Sequence, residues 1–408
     1  MENLDTSLHQ LYDFFDPYPE LDENKKLFKN YIRKINAEGL KENTQLIYVK
    51  TFKVFSLWCV KPISKLNDED IYDFLDYLEN HTYKRGNEYR HYSKETIKTF
   101  KVCLKTFLKS IDKPELAAIL KDKRKRGLSK QLDRKELLDL GDFRKMMNAA
   151  QSPRDKALMC VLYEAGPRRS ELLSSRVCDV AFNDYGCKLT FSEGDATDTL
   201  KTGGRTVQLV HSAQYLRAWI DVHPCKLQNG KTDPEAHLWV SSYRRKVKTL
   251  ESSEPCFIYP RLTHASLWEQ LHAIARKAGV TKRVNPHAWR HIAATNNAEF
   301  LSDAQMRAFF GWTPASPMPG RYTHDPDTDK AVLRAAGINV FEDVDTGLKS
   351  IKCPRCSEWN TDKDYCGRCG NPLKREVMTT ESELLTSVLK VLTESNKLEE
   401  LAAIIKNK

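Results

Sequence analysis

Apolar residues recur every three or four positions along much of the first half of the chain. Two such stripes consist of Leu46, Val49, Phe52, Phe55 and Leu57, and of Ile71, Phe74, Leu75 and Leu78. This period predicts amphipathic helices whose apolar faces pack together. We therefore expect a small helical bundle over residues 29–120. Residues 1–28 begin with a polar and acidic stretch, and we expect them to form a loose N-terminal arm.

A third predicted helix begins after Ser93, a residue type favoured just before a helix. Its apolar side chains form one stripe, which consists of Ile97, Phe100, Leu104, Phe107, Leu108 and Ile111. A second stripe, about a third of a turn away, consists of Lys94, Lys98, Lys101, Lys105 and Lys109. Because the apolar stripe should pack on the other helices, the lysine stripe is predicted to face outward.

Positive charge is concentrated around this helix. Between Lys84 and Lys130 the chain has 15 Lys or Arg and 5 Asp or Glu, a surplus equal to the net charge of +10 of the whole chain. The segment KDKRKRG then contributes Lys123, Arg124 and Arg126. A charge run is commonly only a solvated surface. Its confinement to one region favours a surface that binds the DNA backbone, with residues 121–138 as a basic linker.

From Asp142 onwards the pattern mixes helices and strands. DFRKMMNAA and RDKALMCVLYEAG have helical spacing, whereas strands are predicted for Val177–Phe182, Cys187–Phe191 and Thr206–Val210. Residues 215–284 return to a helical pattern, interrupted by a polar insertion around residues 226–235. The predicted fold class is mainly α with a small antiparallel β-sheet (α+β), and this second domain is expected to span residues 139–345.

The stretch from Asn285 to His324 contains several side chains that are commonly reactive in enzymes. His287, Arg290 and His291 fall within about one helical turn, and Gly311 ends the helical run that follows. A segment broken by Pro314, Pro317 and Pro319 then delivers Tyr322. Arginine binds phosphate oxygens in pairs, histidine exchanges protons near neutral pH, and tyrosine can act as a nucleophile. Together these residue types favour phosphoryl transfer, although each alone is compatible with an ordinary structural role.

Two upstream positions extend this pattern. In the segment GPRRSEL, Arg168 lies three residues before Glu171, so the two side chains are expected to meet on one helix face. Such a pair is also common on protein surfaces, where it contributes little. Lys201 precedes a glycine turn in KTGGRTVQLV, where it is either a hairpin tip in solvent or a functional lysine, and Lys188 on a nearby strand is the alternative.

The combination of H-x-x-R-H, a helix ending in Gly-Trp, and a proline-broken segment ending in Arg-Tyr resembles the tyrosine recombinase (phage-type integrase) family. The resemblance extends over about residues 30 to 345 and implies a helical core-binding domain that binds DNA, followed by a catalytic domain. It assigns six catalytic positions, which are Arg168, Lys201, His287, Arg290, Trp312 and Tyr322. Pro167 departs from the apolar residue usual there in the family. MPGRYTH in particular resembles archaeal integrases.

The resemblance also implies a mechanism. Tyr322 would attack a DNA phosphodiester and form a 3′-phosphotyrosyl intermediate, while Arg168 and Arg290 neutralise charge on the nonbridging oxygens. Lys201 would protonate the leaving 5′ oxygen. Either His287 would help Tyr322 lose its proton, or the positive field of the arginines would lower the cost of losing it. The reaction needs neither ATP nor a catalytic metal. The expected partners are double-stranded DNA attachment sites and three further copies of the chain in a homotetramer on DNA.

A separate motif lies near the C-terminus. Two CxxC pairs, Cys353 with Cys356 and Cys366 with Cys369, are separated by nine residues, which is typical of one structural Zn²⁺ bound by four thiolates. We therefore predict a zinc ribbon over residues 350–375. A capping box formed by Thr380 and Glu383 then opens a predicted helix over residues 379–408 that has an apolar stripe.

Eleven cysteines without a signal-peptide pattern indicate reduced thiols or metal ligands, and no run of 18 apolar residues is present. We therefore expect a cytoplasmic protein associated with the nucleoid. The favoured function is site-specific recombination for integration or excision of a mobile element. Two alternatives remain open, namely a catalytically silent DNA-binding regulator with the same fold and a DNA-relaxing enzyme similar to type IB topoisomerases.

Overall fold

The computed structural model describes residues 4–120, 136–192, 204–247, 256–322 and 348–373. These residues are mainly helical, with small antiparallel sheets, as the sequence predicted. The chain divides into two compact units, Met1–Gly127 and Leu128–Lys408. Several predicted features lie outside the described residues, namely Lys201, the basic segment with Lys123, Arg124 and Arg126, and the helix over residues 379–408.

The first unit is a helical bundle with one hairpin. Its helices are α1 (Leu4–Asp13), α2 (Asp22–Ala37), α3 (Glu42–Trp58), α4 (Asp68–Asn80), α5 (Lys94–Ser110) and α6 (Pro114–Ile119). Between α4 and α5, strands β1 (Thr82–Arg85) and β2 (Glu88–His91) form an antiparallel hairpin. The side chains of Asn67 and Ser93 accept hydrogen bonds from the first turns of α4 and α5, which explains where these helices begin.

The loose arm expected over residues 1–28 is wrong for the described part of that segment. Helix α1 packs against α3, and Leu11 and Phe15 are fully or almost fully buried in the core of the bundle. The reason is an apolar pattern with helical spacing, Leu4, Leu8, Leu11 and Phe15, which lies between the acidic residues. Burial of this stripe outweighs the polar composition of the segment.

Aromatic rings dominate the core of this unit. Phe28 and Phe52 stack with their centroids 4.3 Å apart, and Phe107 of α5 lies 4.9 Å from Phe52. Because Phe107 belongs to the predicted apolar stripe of α5, this contact fixes how the helix is rotated. Lys94 and Lys98 are exposed on α5, whereas the lysine stripe becomes half-buried at Lys101 and Lys105.

The second unit surrounds a buried helix and a small sheet. Its elements are α7 (Leu140–Ala149), α8 (Pro153–Ala165), α9 (Arg169–Ser174), β3 (Val180–Asn183), β4 (Gly186–Phe191), β5 (Arg205–Leu209), α10 (Ala213–Asp221), β6 (Arg245–Val247), β7 (Cys256–Ile258), α11 (His264–Lys277), α12 (Pro286–Asn297), α13 (Asp303–Phe310), β8 (Ser350–Lys352) and β9 (Trp359–Thr361). Strands β3, β4 and β5 form one antiparallel sheet in that order. Helix α8 packs against both α10 and α12.

Two details differ from the sequence prediction. The segment Val177–Asp179 is a 3-10 turn instead of the start of a strand, because the Asp179 carboxylate accepts the backbone N–H of Arg176 and closes the turn. Residues 222–247 and 256–263 lie outside helices and include strands β6 and β7, although a helical pattern was predicted to continue there. Pro224 and Pro234 interrupt the helical backbone in this segment, which explains the difference.

Gly166 fixes the approach of α8 to α12. It caps α8 with a left-handed backbone, at φ 49°. A Cβ atom at this position would lie 2.7 Å from the Cβ of Ala293 and 3.0 Å from the Cα of Arg290. Only glycine allows so close a contact, and the contact places the segment that carries Arg168 beside the helix that carries Arg290.

Across the described ranges, no helix combines the length and the apolar content that crossing a membrane requires.

Candidate active site and metal site

Arg168 is held at the start of α9 by Glu171. Its Nη1 donates to Oε1 of Glu171 at 2.6 Å, and its backbone N–H donates to Oε2 at 2.7 Å. Glu171 is only 1% exposed, so this ion pair is not the surface contact that the same spacing commonly produces. The neighbouring Arg169 is exposed, and its Nη1 lies 2.6 Å from Nε2 of His264. Arg168, and not Arg169, therefore points into the site.

A second guanidinium shares the same carboxylate. Nη2 of Arg205 on β5 donates to Oε2 of Glu171 at 2.9 Å, and the Arg205 side chain is 7% exposed. Burial alone would raise the pKa of Glu171, but Arg205 and Arg168 together lower it, so the carboxylate stays ionised. No role was predicted for Arg205 from the sequence. Its isolated position on a strand carried no signal, because its partner lies 34 residues away.

The C-terminal end of α13 binds three arginines through three consecutive carbonyl groups. Phe309 O accepts from Arg205 Nη1, Phe310 O accepts from Arg290 Nη2 at 2.6 Å, and Gly311 O accepts from Arg168 Nη2 at 2.6 Å. The last carbonyls of a helix have no partner within the helix and carry partial negative charge. Three cations therefore satisfy these groups and are in turn fixed by them.

Gly311 makes this arrangement possible. It ends α13 in a left-handed conformation, at φ 58°. A Cβ atom at Gly311 would lie 2.8 Å from Cδ of Arg205 and 3.3 Å from Nη1 of Arg168. The glycine that the sequence identified as a helix terminator thus also leaves room for two of the three guanidinium groups.

Arg290 is buried on α12 and is fixed by two backbone carbonyl groups. It is 7% exposed, and its Nη1 donates to the carbonyl of Gly166 at 2.8 Å. Burial and the nearby charge of Arg168 lower the pKa of Arg290 to about 9. The guanidinium remains protonated at neutral pH, and the hydrogen on each Nη not used by a carbonyl is available to an anionic ligand.

Tyr322 contacts a different histidine from the one predicted. Its hydroxyl lies 2.6 Å from Nδ1 of His291, and Nε2 of His291 lies 3.0 Å from Nε2 of His287. Tyr322 is 7% exposed and follows a short 3-10 turn, Pro319–Arg321. His287 therefore meets the tyrosine through His291, a residue of the H-x-x-R-H motif for which no role was predicted.

Trp312 holds the tyrosine ring in place. The rings of Trp312 and Tyr322 are parallel within 4°, with centroids 5.8 Å apart. The Trp312 ring also stacks on Phe310, with centroids 5.1 Å apart. The guanidinium carbon of Arg290 lies 5.7 Å from the centre of the Trp312 ring. The indole thus lies close to both the buried arginine and the tyrosine.

The surroundings of Tyr322 and His291 keep both side chains uncharged. Burial raises the pKa of Tyr322 to about 12, although Arg290 and Arg321 act in the opposite direction. Burial, His287 and the two arginines lower the pKa of His291 to about 4. At neutral pH the tyrosine therefore keeps its proton and the histidine has a free lone pair.

The four predicted cysteine ligands come together in one cluster. The Sγ atoms of Cys353, Cys356, Cys366 and Cys369 all lie within 4.8 Å of one another. Two of these separations, Cys353 to Cys369 and Cys356 to Cys366, are 3.6 and 3.5 Å. Tetrahedral zinc with bonds of about 2.3 Å requires sulfur atoms roughly 3.8 Å apart, so the cluster fits this ion.

The environment of Cys366 favours a thiolate. Burial opposes its ionisation, but the backbone N–H groups of Arg368 and Cys369 and the nearby Cys356 and Asn360 side chains lower the pKa of Cys366 to about 6. The amide of Asn360 lies 3.5 Å from this sulfur and also accepts the backbone N–H of Gly367. Such contacts from the surrounding shell are typical of metal-binding thiolates.

The cysteine-containing module packs on the sheet and on α10. Trp359 Nε1 donates to the carbonyl of Asp184 at 2.8 Å, and Ser350 Oγ lies 2.7 Å from Nδ1 of His211. Arg144 of α7 forms an ion pair with Asp362 at 2.8 Å. Strands β8 and β9 are therefore fixed to the same unit that contains the arginine and tyrosine cluster.

A helical domain followed by a mixed domain, with paired arginines and a tyrosine beside a histidine, is the architecture of a tyrosine recombinase. The model of the phage integrase family matches residues 130–328, and the model of the SAM-like N-terminal domain of phage integrases matches residues 27–88. The chain belongs to the phage integrase family. Its members, the tyrosine recombinases, are enzymes that cleave and rejoin DNA strands.

Among curated proteins, the chain is similar to two tyrosine recombinases named XerD. The protein of Oceanobacillus iheyensis is 28% identical over 279 residues, which cover 66% of this chain and 82% of that protein. The protein of Haemophilus ducreyi is 26% identical over 270 residues, which cover 64% and 79%.

Solved structures share the fold. The Tn1549 transposon integrase in complex with a circular intermediate DNA has a TM-score of 0.54 at 16% identity, covering 76% of this chain and 98% of that one. The XerH site-specific recombinase bound to a palindromic difH substrate has a TM-score of 0.51 at 16% identity, covering 84% and 98%. At such low identity the likeness extends to the fold alone.

Proposed function

We propose that this protein is a site-specific DNA recombinase that cleaves and rejoins strands through a 3′-phosphotyrosyl intermediate at Tyr322. The observation that carries the proposal is the convergence of Arg168 and Arg290 on the carbonyl end of α13, next to the Trp312 and Tyr322 stack. Permanent cations beside a buried hydroxyl are what an in-line attack on a phosphodiester needs. We further propose that the enzyme integrates or excises a mobile element of the archaeal-integrase type.

Each residue has a proposed part in the reaction. Arg168 and Arg290 stabilise the negative charge that develops on the nonbridging oxygens. Trp312 holds the tyrosine ring and donates its indole N–H near the phosphate. His287 belongs to the proton path from the tyrosine, and Lys201 protonates the leaving 5′ oxygen. The reaction stores the bond energy in the phosphotyrosine, so it uses no ATP and no catalytic metal.

The proposed partner is double-stranded DNA carrying attachment sites. The lysine stripe of α5, with Lys94, Lys98, Lys101 and Lys105, binds phosphates, and the basic segment with Lys123, Arg124 and Arg126 continues that contact. The DNA-bound relatives of this fold support such a partner, since their structures contain transposon or difH DNA. Four copies of the chain would assemble on two sites and act on the nucleoid.

The cysteine cluster is proposed to hold one structural Zn²⁺. Cys353, Cys356, Cys366 and Cys369 supply four sulfur ligands, and the metal would stabilise the module that packs on α10 and the sheet. Purified and dialysed protein should contain about one equivalent of zinc by elemental analysis. Cys353→Ser should lower this content and impair assembly on DNA more than cleavage by a preassembled complex. A metal-free protein in which residues 350–375 remain folded would refute the site.

The deciding experiment uses a nicked suicide substrate that traps covalent protein–DNA adducts. Tyr322→Phe keeps the ring and its stacking on Trp312 but removes the attacking oxygen, so it should bind site DNA and form no adduct. Arg290→Ala retains the hydroxyl and should cleave slowly, with a loss of roughly a hundredfold or more. If Tyr322→Phe still trapped DNA, the nucleophile would be another tyrosine, and Tyr243 or Tyr259 would be tested next.

Strand exchange separates recombination from the two other activities. Wild-type protein incubated with two attachment sites should yield exchanged products. A topoisomerase-like enzyme would relax supercoiled DNA without exchange, and a silent regulator would bind without forming an adduct.

A further inference from the structure

His291 lies between the tyrosine and the histidine that the family resemblance selects. Its Nδ1 is 2.6 Å from the Tyr322 hydroxyl, and its Nε2 is 3.0 Å from Nε2 of His287. The imidazole is thus in contact with the atom that would attack the phosphate. Its two ring nitrogens connect that atom to His287 in the first turn of α12, which begins at Pro286.

We propose that His291 is the catalytic base that accepts the proton of Tyr322, and that His287 accepts a proton from His291 in turn. This inference rests on the proposed function, because it requires Tyr322 to be the nucleophile. It replaces direct contact between His287 and the tyrosine with a relay of two imidazoles. His291 touches the reacting atom, whereas His287 acts through His291.

One arrangement of protons fits both distances. The Tyr322 hydroxyl donates to Nδ1 of His291, so the proton of neutral His291 is on Nε2. That N–H donates to Nε2 of His287, whose own proton is then on Nδ1. Each of the two hydrogen bonds then has one donor and one acceptor, and the three side chains of the relay are uncharged before DNA binds.

Bond formation at phosphorus is coupled to two proton transfers. As the bond from Tyr322 Oη to phosphorus forms, the Oη–H bond breaks and the proton moves to Nδ1 of His291. The proton on Nε2 of His291 moves to Nε2 of His287, which becomes the imidazolium. The bond from phosphorus to the 5′ oxygen breaks, and that oxygen takes its proton from a general acid, proposed above as Lys201. No oxidant or other reactant is required.

The charges around His291 disfavour its protonation before DNA binds. His287 and Arg290 face it from α12, and Arg321 and Tyr322 face it from the segment after α13. The two arginines disfavour a second positive charge near the imidazole. A DNA phosphate bound by Arg290 adds negative charge at the same place, which makes protonation of His291 easier when the substrate is present. Passing the proton on to His287 moves the new charge towards solvent, since His287 is exposed.

The key variant is His291→Asn. The side-chain oxygen of Asn can occupy the place of Nδ1 and accept a hydrogen bond from Tyr322, but it cannot take up the proton. If His291 only positions the tyrosine, the Asn variant should cleave almost as fast as wild type. If His291 is the base, the rate of adduct formation should fall by roughly a hundredfold or more, at the same DNA affinity and melting temperature.

A modified substrate distinguishes proton removal from Tyr322 from protonation of the leaving 5′ oxygen. A suicide substrate with sulfur in place of the bridging 5′ oxygen releases a thiolate, which needs no general acid. On this substrate Lys201→Ala should regain activity, whereas His291→Asn should stay slow. The pH profile gives a second readout, because the variant must lose the tyrosine proton to hydroxide. Its rate should then rise about tenfold per pH unit up to pH 9, while the wild-type rate levels off.

Two controls separate the possible failures. Trapping of DNA by Tyr322→Phe would overturn the proposed nucleophile and this inference with it. If Tyr322→Phe is inactive but His291→Asn cleaves at the wild-type rate with the wild-type pH profile, the nucleophile stands and the relay is refuted. His287→Gln should give a smaller loss than His291→Asn, and a larger loss would make His287 the direct acceptor. If the Asn variant loses DNA binding or melts early, His291→Ala with added imidazole replaces it, and absence of rescue would count against the base.

Discussion

Glu171 offers the sharpest test of how the arginine cluster is built. Its carboxylate is 1% exposed and accepts three hydrogen bonds, from the backbone N–H of Arg168, from Nη1 of Arg168 and from Nη2 of Arg205. The perturbation is Glu171→Gln, which preserves the shape of the side chain and removes its charge. Whichever way the amide is turned, its NH₂ group faces an N–H donor of Arg168 or Arg205.

The expected magnitude follows from burial. Arg205 is 7% exposed, and its remaining partners among the described residues would be the Phe309 carbonyl and the Phe191 ring, with its guanidinium carbon 4.6 Å from the ring centre. Removing one partner of a buried ion pair costs about 3–5 kcal/mol, because the other charge stays buried. In a unit as large as Leu128–Lys408, each kcal/mol shifts the melting temperature by about 2 °C, so a loss of this size lowers it by roughly 6–10 °C.

The assay is thermal unfolding of the full chain, followed by circular dichroism, with urea unfolding as a second measurement. Asp303→Asn is the matched control, since Asp303 also pairs with an arginine, Arg307 at 3.5 Å, but is more than half exposed. Exposed pairs of this kind contribute roughly 0–1 kcal/mol, so the control should melt close to wild type. If Glu171→Gln shifted the melting temperature no more than Asp303→Asn, the carboxylate would not be what holds the two arginines.

Further outcomes are expected from other parts of the chain. Gly311→Ala should lower adduct formation at nearly unchanged DNA affinity, since its Cβ would lie 2.8 Å from Arg205 and 3.3 Å from Arg168, and wild-type cleavage would contradict the role of this glycine. Replacing Lys94 and Lys98 with Gln should weaken binding equally on all DNA sequences and flatten the salt dependence by about one unit of slope per lost contact, whereas an unchanged slope would make the stripe a solvated face. The pKa of His291 is lowered to about 4 in the folded protein from 6.5, so the unfolded chain binds this proton first as the pH falls. The free energy of unfolding should therefore not be reduced by this group above pH 6.5, and it should decrease as the pH falls from 6.5 towards 4. If His291→Asn lost stability over the same pH range, another group would be responsible.

Local patterns in the sequence were sufficient to predict several helices and short-range contacts of this protein. The apolar period predicted α3, α4 and α5, and the glycine after Phe310 predicted the end of α13. The spacing of Arg168 and Glu171 predicted an ion pair, which is present at 2.6 Å. The two CxxC pairs predicted a four-sulfur cluster. In each case the interacting groups belong to one element or to one short motif, so the distance along the chain limits their distance in space.

The partners of the arginines and of the tyrosine were decided only by the tertiary structure. Arg168 binds a carbonyl 143 residues away, Arg205 binds a carboxylate 34 residues away, and Tyr322 binds a histidine 31 residues away. Helical spacing places His287 and His291 four residues apart on neighbouring turns, but it does not state which of them the segment after α13 will meet. That choice depends on how α13 packs against α12, which is set by burial of side chains from both helices and by the close contact at Gly166. The amino-acid sequence therefore determined which reactive groups are present, and the packing of distant elements determined which of them touch.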